Sequence, residues 1–528
     1  MKGWKLVGAW LAGAVVLDLF LSGLDPAGPP FSAWLGYLVL SLLAAGLLAG
    51  GWYWVAAADR PHWLAIALGV AMALRLTVGL GLEAALPVWG YPDNKSNRAG
   101  YVFYDAFKRD NDAWALAASD KPLTAAFSPR YTSDQYGGLL LISATTYRLL
   151  GNHVHRPLMI VLLAAVAGSL AVLFTWGFTA MTLGGTAAVV AAWIAALYPD
   201  AVLLGASQMR EPFMMAGLAA ALYGYARARI GDRRTAPALI AVGTLLGLIV
   251  SPPFGVLIVA TLLGALVWEQ RLVGRRPTLI LAGAALLVLG VALTFRAWSA
   301  IGGLPGSNIG QVILGWLTAG ADYQLRLLQE QSGIVQKVFA LTPKWAHIPL
   351  ATLYGLTQPF LPAAVADATV PAVWIVSIWR AAGWFLMIPF LIYGIMVSFH
   401  HLRLRSLTPY LAALVVLVAL VASYRAAGDQ WDNPRYRTTF LAIQAAIAGW
   451  ALIHARRNHN PWLLRIGVMD LAFVLIFLQW YAGRYLQTPS LGLNATLAAE
   501  AVFMLGIIGW GLARDRLASQ GSRRPNVG

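Results

Sequence analysis

The sequence predicts an all-α polytopic membrane protein of about fourteen transmembrane helices, with amphipathic helices in its outer loops. Three observations carry this prediction. Of 528 residues, 59% are hydrophobic and 11% are charged, and the mean hydropathy is +0.67, so the chain lacks the polar surface that a water-soluble fold of this length needs. Apolar runs long enough to cross a bilayer recur almost end to end. The basic residues behind a formal charge of +16 gather in short clusters between those runs, which is the pattern of topology signals and not of a nucleic-acid surface. Cysteine is absent, which excludes disulfides, iron–sulfur ligation and thiol nucleophiles.

The spans are centred near Val15, Ala45, Gly69, Ala165, Val190, Leu218, Leu245, Ala260, Ala285, Pro389, Val416, Ala446, Phe473 and Leu505. The first run, Trp4 to Leu21, leads into "SGLDPAGPP" without a small-residue cleavage site, so it is expected to stay as an anchor. Four basic clusters, "RARIGDRR" from Arg227, "RLVGRR" from Arg271, "HHLRLR" from His400 and "ARRNH" from Ala455, fall between spans on one side and assign that side to the cytoplasm. An even number of spans adds Lys2, Lys5, Arg514, Arg516, Arg523 and Arg524 to it. Trp345 to Leu361 would break that parity by crossing, and reads as an interfacial or re-entrant outer segment. Asp110 and Arg435 are then outside, and Arg234 and Arg403 inside. Four regions follow: an N-terminal helix pair over 1–61, a module over 62–300 with its first outer loop at 88–156, a large outer loop over 301–370, and C-terminal spans over 371–528.

The first outer loop holds Asp93, Asp105, Asp110, Asp112, Asp120 and Asp134, from a total of 22 acidic residues. Within it, "DAFKRDNDAWALAAS" sets Phe107, Trp114 and Leu116 among alanine and charge at helical spacing, so a short helix at the membrane surface is expected. On such a helix Asp110 and Asp112 point about 200° apart and cannot share a face. Glu211, in "LYPDAVLLGASQMREP", stands at the outer edge of an apolar run, where an ionised carboxylate needs a partner such as Arg210 or a water-filled cavity.

These segments resemble the GT-C glycosyltransferases, the class of the protein O-mannosyltransferases and the lipid A aminoarabinose transferase. "RDNDAWALA", Arg109 to Ala117, is similar to that class's first-outer-loop motif, an Asp four residues before an aromatic with an Ala three further on, and Asp110, Trp114 and Ala117 fit. Members often place a second acid directly after the Asp; here Asn111 stands there and Asp112 follows. Glu211 matches the acid of the class's second outer segment, and "DNPRYR", Asp432 to Arg437, is similar to an Arg-Tyr-Arg element before a late span. The resemblance covers about 62–296 and 432–437.

It implies a multi-pass enzyme of the inner (plasma) membrane with its active site on the extracytoplasmic side. Its substrates would be a polyprenyl-phosphate sugar donor and a protein, lipid or glycan acceptor, with membrane lipids as partners and no nucleic acid. Inverting displacement needs a base and a cationic stabiliser of the phosphate leaving group. Asp110 is the expected base, Asp112 its reserve, and Glu211 positions hydroxyls. Arg435 and Arg437 are the expected phosphate ligands. Asp105, Trp114, Arg210 and Arg296 line the substrate site, and Tyr436, between the two arginines, points away from them if the segment is extended. No cofactor is firmly indicated: the sequence has no HExxH, Walker or GxGxxG motif, and His153 with His155 stands apart in a loop, while a divalent cation on the carboxylates is compatible with the acid set. Gly302, Gly303 and Gly306 read as a flexible gating loop. The rival reading is a transporter or flippase of lipid-linked sugars, which would use ionisable residues within spans, namely Asp18, Arg75, Glu83, Arg380 and Asp470. A glycan polymerase or ligase differs from the main reading only in its acceptor.

Overall fold

Helices account for all the regular structure among the described residues. These residues, in a computed structural model, are 2–56, 61–128, 130–131, 133–269, 339–400 and 406–521, with a few positions between 283 and 311. The N-terminal pair is α1 (Lys2–Leu24) and α2 (Trp34–Val55), followed by α3 (His62–Trp89). The loop after α3 carries α4 (Lys95–Arg98), α5 (Tyr104–Ala117) and α6 (Gly138–Leu150). The bundle continues with α7 (Pro157–Thr182), α8 (Gly185–Leu197), α9 (Pro199–Gly205), α10 (Glu211–Arg229), α11 (Thr235–Val250) and α12 (Pro252–Glu269). Beyond the segment outside the described residues come α13 (Lys344–Leu356), α14 (Leu361–Ala366), α15 (Pro371–His400), α16 (Leu407–Ala426), α17 (Asp432–Thr438), α18 (Leu441–Arg457), α19 (Trp462–Tyr485) and α20 (Leu493–Gly521).

Among the described residues nine helices are long and apolar enough to cross a membrane, and eleven if the bent pairs α8–α9 and α17–α18 each count as one. The fourteen expected are not reached, for three reasons. The window near Ala285 lies mostly outside the described residues. Helix α11 has only 16 residues. Helix α10 carries Glu211, Arg227 and Arg229 and buries nearly every side chain in protein, so it meets little lipid. Arg296, Arg403, the cluster from Arg271, the cluster from His400 beyond its first residue, and the glycines from Gly302 also lie outside the described residues. The segment Trp345 to Leu361 lies in α13 as far as Leu356 and then leaves the helix before α14, and the 13 residues of α13 reach about 20 Å and fall short of a hydrocarbon core.

Helix α7 is the axis of the bundle, with α2, α3, α8 and α10 packed around it. With no hydrophobic driving force between helices in lipid, close packing supplies the attraction, and small residues let backbones approach. Gly217 on α10 faces Gly243 on α11 so closely that a Cβ added at 217 would stand 2.7 Å from the Gly243 carbonyl oxygen. The C-terminal part docks through α15 and α18, while α20 packs against α19.

Several charges inside this bundle are paired or hydrogen-bonded, which offsets the cost of burial in low dielectric. Asp200 on α9 meets Arg380 on α15 at 2.5 Å with both side chains buried. Asp25, in the turn after α1, accepts from Arg156 at 2.5 Å and from the Tyr37 hydroxyl at 2.9 Å, which ties the N-terminal hairpin to the loop before α7. Arg75 on α3 donates to the carbonyls of Ala71, Ala195 and Ala196. Two of the span residues considered for transport, Arg75 and Arg380, are thus engaged in hydrogen bonds and an ion pair within the bundle.

Helix α10 separates the two ends of the bundle, since Glu211 and Arg229 at its termini stand about 27 Å apart along its axis. Because the native chain has no cysteine, single-cysteine variants give clean labelling of these ends. The basic-cluster asymmetry predicts that an impermeant thiol reagent on intact cells labels Lys108→Cys, an exposed position of α5, and spares the exposed Arg234→Cys. The reverse pattern would invert the orientation.

Candidate active site

The segment leading into α5 is ordered by asparagine. Asn94 accepts from the Ser96 backbone N–H at 2.9 Å to start α4, and Asn97 donates to the Tyr101 carbonyl at 3.0 Å while accepting from the Tyr91 N–H at 3.1 Å. These side chains stand in for a longer helix or a strand ladder, and they fix where α5 begins. Asp105 then sits in its first turn, where the helix dipole favours a carboxylate.

Helix α5 has two working sides. Asp110 points inward, is fully enclosed, and accepts from three donors: the Tyr101 hydroxyl at 2.6 Å, His155 Nε2 at 2.8 Å, and the Tyr147 hydroxyl. Burial, and next the Asp110 charge, push the Tyr101 and Tyr147 hydroxyls well above the ordinary tyrosine range, so both remain protonated donors. Trp114 stacks on the His155 ring at 5.5 Å, and Tyr147 meets both rings edge-on. One residue before Asp110, Arg109 is buried, donates to the Gln208 carbonyl at 3.2 Å and faces Asp134 at 3.8 Å. Asp134 also accepts from the Leu140 N–H at 2.9 Å and so holds the start of α6.

The other side of α5 is open. Asp105 and Asp112 are seven residues apart, about 20° from eclipsed on a helix. The Asp105 side chain is 56% exposed, and Asp112 is half-buried with the Ser133 hydroxyl as its donor. Asp105 borders a cavity of about 360 Å³ formed by the loop before α5, the start of α15 and the start of α17. Its walls are apolar where Leu86, Val376 and Trp374 stand, and acidic where Asp105, Asp367 and Asp432 stand, with Arg435 between them.

Arg435 is where the acids converge. Its Nε and Nη2 donate to Glu211 Oε1 at 3.2 and 2.9 Å, and Nη1 donates to Asp432 at 2.8 Å and approaches Asp105 at 3.5 Å. Phe103 lies against the guanidinium at 5.5 Å. The other Glu211 oxygen is buried without a hydrogen-bond partner among the described residues. Arg210, beside it, leans over the Tyr136 ring at 5.2 Å. Among the described residues no three His, Asp or Glu side chains are placed to share a metal ion.

The residues singled out from the sequence therefore fall into separate groups. Asp105, Glu211 and Arg435 come together. Asp112 shares the open side of α5, while Asp110 and Trp114 belong to the inward cluster. Tyr436 is exposed on α17, which is helical and not extended. Arg437, two residues from Arg435 and so turned about 200° from it, is buried with its guanidinium 3.4 Å over the Trp384 ring. Its Nε and Nη2 find no hydrogen-bond partner among the described residues. The sequence reading missed Tyr101 and Tyr147 and set His155 apart as a loop residue; the three lie 9, 37 and 45 residues from Asp110. Asp432 was visible three residues before Arg435, the spacing of a helical ion pair.

No protein-family model and no curated protein matches the chain. Solved structures similar to it include the archaeal oligosaccharyltransferase AglB from Archaeoglobus fulgidus in complex with an inhibitory peptide and a dolichol-phosphate, at 14% identity and a TM-score of 0.37, with 84% of this chain and 55% of that one covered. The apo form of the Archaeoglobus fulgidus oligosaccharyltransferase is another, at 15% identity and a TM-score of 0.39, with 86% and 57% covered. The chain spans little more than half the length of each.

The inward cluster makes a stability prediction. Asp110→Ala strips three donors of their acceptor and is expected to cost about 3 kcal/mol, whereas Tyr147→Phe removes one hydrogen bond and costs about 1 kcal/mol. Asp112→Ala, with one half-buried partner, is expected to shift unfolding little. Thermal unfolding in a lipid nanodisc reads the order, and equal losses at 110 and 112 would contradict it.

Proposed function

We propose that this multi-pass membrane protein is a glycosyltransferase of the GT-C type that moves a sugar from a polyprenyl-phosphate donor to an acceptor hydroxyl, with 62–300 and α17 forming the catalytic module. The reading rests on one observation above the rest: a buried arginine ringed by carboxylates at the wall of a cavity that also has an apolar wall, where Leu86, Trp374 and Val376 stand. A cation for phosphate, carboxylates for hydroxyls and an apolar wall for an isoprenoid chain suit a substrate that is part lipid and part sugar. The order of the three motifs along the chain supports the same class.

The roles within α5 follow from which carboxylate is open. Asp110 is enclosed, with a donor on one oxygen and two on the other, so we assign it to holding the loop together. Asp112, on the same side as Asp105, is the proposed general base. It takes the acceptor's hydroxyl proton as the acceptor oxygen bonds to the anomeric carbon, and the bond to the donor phosphate breaks with its electron pair on phosphate. This single displacement inverts configuration and needs no covalent carboxylate intermediate. Arg435 stabilises the leaving phosphate. Glu211 positions hydroxyls, and Arg437 is assigned to the bundle core. An extracytoplasmic site follows from the proposed orientation, and the inner membrane is proposed with the glycosyltransferase class.

Purified protein in lipid, incubated with a panel of radiolabelled polyprenyl-phosphate sugars and acceptors, tests the class. Asp112→Asn is expected to lower turnover at least about 100-fold with donor binding retained, while Arg435→Lys weakens donor binding because a point charge cannot replace a fork. If Asp112→Asn stays active and a well-folded Asp110→Asn is dead, the inner carboxylate is the base. A wild type that moves no sugar but carries lipid-linked sugars across a bilayer would favour the transporter.

A further inference from the structure

We infer that the donor phosphate and Glu211 compete for the same edge of Arg435, so that donor binding proceeds by an exchange of partners in which Glu211 is displaced. The inference rests on the glycosyltransferase reading above. Its basis is the occupancy of the guanidinium. Nε and Nη2, the edge that a phosphate would grip with two parallel bonds, are both committed to Glu211 Oε1. The remaining nitrogen, Nη1, is committed to Asp432 with Asp105 beside it. The Arg435 side chain is only 8% exposed, so a lipid phosphate arriving through the cavity meets carboxylates before it meets cation.

Both charges of the Glu211–Arg435 pair are buried, and an anion cannot be added there without moving one. Asp432 and Asp105 lie nearer the open cavity and keep Arg435 anchored through Nη1 while the other edge changes hands. Glu211, once released, carries a free carboxylate with both oxygens available. One of them already lacks a partner among the described residues. The exchange therefore links arrival of the phosphate to freeing of the carboxylate that positions hydroxyls, and an empty site holds that carboxylate back.

The signature is an affinity that rises when a site residue is neutralised. Binding of a sugar-free polyprenyl phosphate to the purified full chain in nanodiscs isolates the phosphate contact from any contact to sugar. Glu211→Gln keeps size and hydrogen bonding but not charge, and is expected to bind this probe about tenfold more tightly than wild type while turning over donor more slowly. Asp432→Asn, which removes a carboxylate from Nη1 and not from the contested edge, is expected to raise affinity less than Glu211→Gln does, and an equal rise in the two would mean general charge relief and overturn the exchange. Unchanged or weaker binding in Glu211→Gln, with wild-type unfolding temperature, overturns the exchange. Unchanged binding in Arg435→Lys overturns instead the assignment of Arg435 to phosphate, and the exchange falls with it.

Discussion

The guanidinium of Arg435 is the tie on which the site depends. Through it α17 is joined to the first residue of α10 and to the first turn of α5. These elements come from distant parts of the chain: Arg435 and Glu211 are 224 residues apart. Removing Arg435 would leave the buried Glu211 carboxylate without the guanidinium that pairs with it, which costs more than the pair's net attraction supplies, whereas without Glu211 the guanidinium still has Asp432 and Asp105. The geometry of the cavity wall is therefore held by electrostatics that tolerate little change, and the cavity presents carboxylates because its cation is already engaged.

A second constraint comes from the solvent. Inside a bilayer a broken helix strands backbone carbonyls with no water to satisfy them. The pair α8–α9 bends by 53° at Tyr198 and Pro199. Proline has no N–H, so the Ala195 carbonyl four residues earlier loses its helical donor. Arg75 supplies one, with Nη2 at 3.2 Å from Ala195 and Nη1 at 3.2 Å from Ala196. Room for this side chain is made by Gly168 and Gly205, where an added Cβ would lie 2.6 and 2.7 Å from it. The bend turns α9 so that Asp200 meets Arg380, whose guanidinium in turn covers Trp431 at 4.4 Å beside the cavity. An arginine deep in a span thus acts as a helix cap, and the cap helps to set the wall of the site.

Much of this fold was legible because lipid imposes a strong pattern. Almost every apolar window became a helix, and the helix over Tyr104 to Ala117 followed from the spacing of Phe107, Trp114 and Leu116. Windows near Leu218 and Leu245 read as spans because hydropathy registers apolar side chains without telling lipid from protein, and α10 is surrounded by protein. The opposition of Asp110 and Asp112 was legible from helical rotation alone. Which of them faces inward was not, since that depends on Tyr147 and His155, brought by a separate helix and loop. The same rotation separates Arg435 from Arg437, but "RYR" reads as a pair only until the segment is known to be helical and not extended.

Charge is concentrated in α5 because a helix there can have a dry side and a wet side at once. Five residues separate Asp105 from Asp110, a rotation of about 140°. One carboxylate therefore enters the core of the loop, where hydroxyls and an imidazole are assembled for it, and the other looks into the cavity. The inward carboxylate is expensive to bury and is retained only where several donors surround it. Those donors come from the loop before α5, from α6 and from the segment before α7, so satisfying Asp110 closes the loop as a unit. With α5 thus anchored, Asp105 and Asp112 keep a fixed bearing relative to Arg435, which a carboxylate on a free loop would lack. In a chain this poor in charge, the acids of one short helix divide between building the platform and standing on it.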